Sequence, residues 1–152
     1  PLLTIPPTAP LLPISEFLLY EVELALSELP RAINRCPRIL VSDIELQLRP
    51  TLLFLRHRLR FRRIGSQNTV LLVSSVEHTL VPKLCFLGEL GFRDEEVVNL
   101  VQRSPALLTY SIQNNLMPKI DYFFEVLIGE FLYKAVLYNV ISFSAAIDEF
   151  LY

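Results

Sequence analysis

Nine arginines fall between Arg31 and Arg63, at positions 31, 35, 38, 49, 56, 58, 60, 62 and 63, with only Asp43 and Glu45 to oppose them. The segment carries a formal charge of +7 in a 152-residue chain whose net charge is −2, so everything else sums to −9. Arginine suits phosphate and carboxylate oxygens because its planar fork makes two parallel charge-assisted hydrogen bonds. At about 100° per residue, Arg49, Arg56, Arg60 and Arg63 would share a helical stripe roughly 60° wide, beside the apolar stripe of Leu48, Leu52, Leu55 and Leu59. Such a helix would bury its leucines and aim guanidinium groups along one edge. Two outcomes stay open at this point: the arginines follow a polyanion, or they form a solvated face that pairs with the acidic remainder of the chain.

Other chemistry is sparse. His57 and His78 have no carboxylate or cysteine at ligand spacing, so no metal site is expected. Ser74 and Ser75 lie in no nucleophile elbow and no glycine loop could cradle a phosphate, so neither catalytic residues nor a cofactor are expected, and the chain does not read as an enzyme. Cys36 and Cys85 read as plain reduced thiols. Tyr110, Tyr122, Phe123 and Phe124 could stack on bases, but at helical spacing they read first as core. With a mean hydropathy of +0.42 and 52% hydrophobic residues, the chain is too apolar for disorder and must bury extensively.

The elements that would position the arginines are written in a repeat. "SDIELQLRPTL", "SSVEHTLVPKL" and "YSIQNNLMPKI" align on Pro50, Pro82 and Pro118, which are 32 and 36 positions apart. Two residues before each proline stands Leu48, Leu80 or Leu116; six before, Ile44, Val76 or Ile112; ten before, Leu40, Leu72 or Leu108. Pro37 and Pro105 open the first and third copies, where the second has Thr69, so the middle copy is shortened at its front. Ser42 with Glu45 and Ser74 with Glu77 fit capping boxes, and Ser111 fits a cap in the third copy. The repeat proline fits the first turn of a new helix. Gly65, Gly91 and Gly129 fit left-handed C-terminal caps, and the acids of "FRDEEVVNLVQR" fit a first helical turn with Val97, Val98, Leu100 and Val101 facing inward. Each unit is then helix, short helix, helix. Upstream, "PLLTIPPTAPLLP" reads as an extended lead-in, and the spacing from Ile14 predicts a helix ending near Pro30.

The arrangement "RCPRILVSDIELQLRPTLLFL" and "RSPALLTYSIQNNLMPKIDYF" resembles the mTERF family, the mitochondrial transcription termination factor-like proteins, over roughly residues 31–129. The resemblance implies an all-α fold, a right- or left-handed curved solenoid of three-helix repeats, that binds double-stranded DNA or RNA in chloroplasts or mitochondria and regulates or terminates transcription. On that expectation the candidate contacts are Arg49, Arg56, Arg58, Arg60, Arg62 and Arg63, with Lys83 and Lys119, each just after a repeat proline, extending the track. The chain divides into a lead-in at 1–13, repeats at 14–129 and a partial or atypical repeat at 130–152, where "VLYNVISFSA" is followed by no Leu-x-Pro. That last stretch is interrupted by Lys134, Asn139, Asp148 and Glu149, so a membrane span is not expected; an unstacked apolar end that self-associates is. Residues 1–30 hold no Lys or Arg, so no transit peptide is expected within them. The competing expectation is a protein-interaction solenoid whose arginines engage an acidic partner, and a third is an RNA-binding factor in organellar intron splicing.

Overall fold

The computed structural model describes residues 11–126, and among them there is no β-strand. Among the described residues six α-helices follow one another: α1 (Leu11–Glu16), α2 (Leu29–Arg35), α3 (Arg49–His57), α4 (Val81–Glu89), α5 (Asp94–Arg103) and α6 (Met117–Val126). Short wide turns and 3-10 turns join them. The chain divides into two compact units, Pro1–Val76 and Glu77–Tyr152.

The repeat proline explains the local geometry. Pro50 and Pro82 sit in the first turn of α3 and α4, and Pro118 near the start of α6. Each helix is entered from a wide π-type turn: Ile44–Leu48, Val76–Leu80 and Ile112–Leu116. A proline lacks the N–H that would continue an α-helical ladder, and its ring presses on the carbonyl four residues back. Widening the turn relieves both problems, because hydrogen bonds reach five residues back instead of four: Leu48 N–H to Asp43 O at 3.0 Å, Leu116 N–H to Ser111 O at 3.1 Å. Arg49 and Met117, although each precedes a proline, keep helical dihedrals (φ −67, ψ −47 and φ −60, ψ −49). The short second helix of each unit and the helix after it are therefore continuous.

Before each wide turn comes a 3-10 turn: Pro37–Val41, Ser66–Leu71 and Pro105–Leu108. In the first and third copies a helix precedes it, α2 and α5, and the junction residues take the same conformation, Cys36 at φ −136, ψ 75 and Ser104 at φ −137, ψ 74. The middle copy has no such helix; Phe61–Gly65 is irregular, and Thr69, where the others have proline, is buried and donates its hydroxyl to Ser66 O at 3.0 Å. The leucine column is the core: Leu48, Leu80 and Leu116 are 0%, 0% and 4% exposed, and Leu72 and Leu108 are buried, with Leu40 half-buried. Within Pro1–Val76, α1 packs on the Pro37–Val41 turn and α2 on the Ser66–Leu71 turn. Gln47 Nε2 donates to Ser74 O at 3.1 Å, tying the first copy to the second. Within Glu77–Tyr152, α4 packs on α5, and the four valines and leucines expected to face inward are all buried.

Several expectations are corrected. The first wide turn is capped by Asp43, whose carboxylate accepts from Leu46 N–H at 2.8 Å; the Ser42 hydroxyl turns back to donate to Arg38 O, and Glu45 reaches forward to Arg49, so no Ser42–Glu45 capping box forms. Ser74 likewise donates to Val70 O. Ser111 does cap, accepting from Asn114 N–H at 3.2 Å. α3 stops at His57 instead of running to Gly65, which is extended at φ −79, ψ 171. Its left-handed cap is Arg60 (φ 54), with Phe61 N–H bonding back to Leu55 O. Gly91, at φ 94, is the cap that was expected, whereas Gly129 lies outside the described residues.

The helix expected from Ile14 to Pro30 is instead four elements: α1, a wide turn at Phe17–Glu21, a 3-10 turn at Leu26–Glu28 and the start of α2. It begins already at Leu11, inside the expected lead-in, and breaks at Glu23 (φ 65); Pro30 opens α2 instead of ending a helix. Pro13 turns out to head a further copy of the proline unit. Leu11 stands two before it and Phe17 four after, as Leu48 and Phe54 do around Pro50. Glu23 and Arg60 are each the tenth residue past their proline and both left-handed, and the bond Leu24 N–H to Leu18 O repeats Phe61 N–H to Leu55 O.

Candidate nucleic-acid interface

The basic segment folds as the end of α3 and the turn after it. Thr51, Leu52 and Leu55 face the core, Leu59 and Phe61 are buried just beyond, and the arginines between them are pushed outward. Because α3 ends at His57 and the chain turns at Arg60, the expected helical stripe does not exist as one face. Arg58, Arg60, Arg62 and Arg63 are instead exposed on a tight loop, while Arg49 and Arg56 stay on the helix and are half-buried.

Three arginines meet carboxylates about one repeat length upstream. Arg49 closes two bonds on Glu21, Nε to Oε2 at 2.8 Å and Nη2 to Oε1 at 2.5 Å, and its remaining nitrogen pairs with Glu45. Hydrogen bonding from Arg49 holds the Glu21 carboxyl below the usual range, and the bonds to Glu21 and then Glu45 push the Arg49 guanidinium above its own. Arg56 lies 3.9 Å from Glu23, whose side chain is 72% exposed. Arg63 Nη2 donates to Glu28 Oε2 at 2.8 Å. The backbone N–H of Ala25, followed by Arg63, keeps the Glu28 carboxyl low. Pairing with the chain's own carboxylates, left open by the sequence, is thus realised at Arg49, Arg56 and Arg63.

The two lysines expected to extend the track each meet a partner within Glu77–Tyr152. Lys83 is turned inward and donates to Leu108 O at 2.5 Å, tying α4 to the third copy's 3-10 turn; burial pushes its ammonium down from the usual range. Lys119 is half-buried with its ammonium 5.7 Å from the centroid of the Tyr110 ring, a cation–π arrangement. Tyr122 is 61% exposed. Cys36 is buried and Cys85 exposed, both free thiols. Among the described residues no group of three His, Cys, Asp or Glu side chains is placed to hold a metal, and no helix is long and apolar enough to cross a membrane. The expected self-associating end at 130–152 lies outside the described residues.

The sequence reading missed Glu21, Glu23 and Glu28. A usable signal existed in the spacing: each lies 28 to 35 positions before its arginine, close to the distance between repeat prolines.

Proline-entered helices in repeated copies, with a basic loop set between them, define an all-helical repeat protein. The mTERF family model matches residues 17–130, most of the chain, and the chain belongs to the mTERF family, a family linked to nucleic acids and transcription. No solved structure matches the chain.

Proposed function

We propose that this protein is a non-enzymatic regulator of organellar transcription, in mitochondria or chloroplasts, that acts by occupying double-stranded DNA, termination being the specific outcome. The observation that carries the reading is the loop after α3, where Arg58, Arg60, Arg62 and Arg63 are exposed within six residues while the intervening leucine and phenylalanine are buried. Anchoring Leu59 and Phe61 in the core fixes the loop, so the guanidinium groups are presented with little ordering cost on binding. An arginine cluster without a base-reading helix end favours contacts along phosphates, which set affinity and register more than sequence. Arg56, on the last turn of α3, adjoins the loop; Arg49, held on both sides by carboxylates, and Lys83, bonded to Leu108, are assigned structural roles.

Filter binding at two salt concentrations, with a duplex, a single strand and an RNA, tests the proposal. Salt-sensitive binding with duplex preferred supports it, RNA preference moves it to intron splicing, and indifference to all three overturns it. A second reading rests on a groove of about 810 Å³ beside α1, where exposed Tyr20 and Val41 are rimmed by Glu16, Asp43 and Glu45. That surface repels a polyanion and would suit a basic, apolar protein segment. Import of the full reading frame fused to a fluorescent protein tests the compartment.

A further inference from the structure

We infer that Glu23 and Glu28 are specificity-determining residues of the basic loop: they occupy Arg56 and Arg63 as internal stand-ins for phosphate, so that only an anion of high charge density displaces them. The inference rests on the nucleic-acid reading and adds a threshold to it.

The three acidic partners are not equivalent. Glu21 grips Arg49 with a two-pronged bond and Glu45 closes the other side, so the guanidinium is held at three nitrogens and this pair is part of the scaffold. Glu23, 72% exposed, comes only to 3.9 Å from Arg56, which is 32% exposed, and Glu28, 23% exposed, holds Arg63, 65% exposed, by a single bond. Pairs held by one bond or none, each with one partner open to water, are weak and readily exchanged. A phosphate arriving at either arginine offers the same geometry as the carboxylate and replaces it. The freed carboxylate, however, stays tethered beside the bound polyanion, Glu23 at a left-handed cap and Glu28 by its bond to Ala25 N–H, and opposes it.

Exchange is therefore favourable only where phosphates are dense. A duplex presents one charge per about 1.7 Å of its axis and releases more counterion per contact than a single strand, roughly 0.9 against 0.7. The carboxylates filter out isolated phosphates first, single strands next and duplexes least. Their neutral isosteres should lose the filter without losing the fold, since a glutamine at 28 still offers an oxygen to Ala25 N–H.

The experiment compares wild type, Glu23→Gln, Glu28→Gln and the double variant by fluorescence anisotropy on one short labelled duplex and on its separated strand, across a salt series, with thermal melts recorded for each. Affinity should rise about two- to fivefold per carboxylate, the gain for the single strand exceeding that for the duplex, and the salt slope should steepen by at most about 0.9 per carboxylate. Glu23→Gln alone carries the test if position 28 proves necessary for folding. Equal affinities and slopes in wild type and variants would overturn the inference while leaving duplex binding intact; absence of binding by all four proteins removes the nucleic-acid reading and the threshold with it.

Discussion

The Arg49 guanidinium spans two copies of the repeat, bonding Glu21 through both Nε and Nη2 while Glu45, one turn before it, holds the remaining nitrogen. A planar fork matched to a carboxylate in this way is the strongest geometry available to an exposed ion pair. Arg49→Ala should lower stability, and only modestly because both side chains are more than a third exposed. Urea unfolding measures the loss, and the salt slope for duplex binding should not change. A slope reduced by the substitution would return Arg49 to the interface.

Acid should act through the same carboxylates. Glu21 and Glu28 have folded-state values below the ordinary 4.5, so the native state binds fewer protons than the unfolded chain near that pH. Their contribution is complete above about pH 4.5 and disappears as the pH falls through the lowered folded values. Urea midpoints from neutral pH downward should stay level and then decline, and Glu21→Gln should lose stability at neutral pH yet match wild type once both carboxyls are protonated. A constant gap at every pH would assign the effect to something other than ionisation.

Arg62 and Arg63 are the residues whose loss should be read in binding. Replacing either with alanine should cut the salt slope by up to about 0.9 and leave the melting temperature near wild type, since both side chains are exposed. Lys83→Met provides the contrast: the slope stays, while stability changes because Leu108 O loses its donor. An unchanged slope for both arginine variants would move the phosphate track elsewhere.

Arg60 combines an unfavourable backbone with a useful side chain. A non-glycine residue at φ 54 costs roughly 1–2 kcal/mol relative to helical backbone, and glycine escapes that cost at the expense of a more flexible unfolded chain. Arg60→Gly should raise stability by about 0.5–1 kcal/mol and weaken duplex binding at low salt. Opposite signs in the two measurements would identify a conformation kept for its charge; loss of stability would mean the Arg60 side chain holds the loop.

Leu80→Ala tests the repeat core. The side chain is completely buried, and its removal should cost about 2–5 kcal/mol, according to how far the surroundings collapse. A change under 1 kcal/mol in the denaturant midpoint would mean that the leucine column does not set the packing.

What could be read in the sequence were the features fixed by burial. Leu48, Leu80 and Leu116 recur because a leucine two before the proline points into the core each time, and such columns survive any error in helix boundaries. The prolines marked helix starts for the same local reason. What could not be read depended on one-residue choices or on tertiary partners. Asp43 and Ser42 are both competent caps, and only the folded turn selects Asp43. Arginine carries no signature of a left-handed cap, so periodicity alone continues α3 past His57 as one stripe, where the chain in fact bends at Arg60. Pro13 was hidden among neighbouring prolines, although Leu11 and Phe17 flank it as the other copies require. The ion pairs of the site needed the repeat to be superposed on itself before Glu21, Glu23 and Glu28 came opposite the arginines.

The wide turn ahead of each repeat proline holds about one residue more than an α-helical turn would. Proline and extra residue are thus a linked pair in the gene. Deleting a single codon within Ile44–Leu48 forces Pro50 against a carbonyl and should abolish folding, whereas the same deletion combined with Pro50→Ala lets the turn tighten and the reading of the helix continue in phase. Natural drift in the length of these repeats would accordingly be expected to arrive in two coupled steps, and lineages that lose the proline are the ones free to shed the residue.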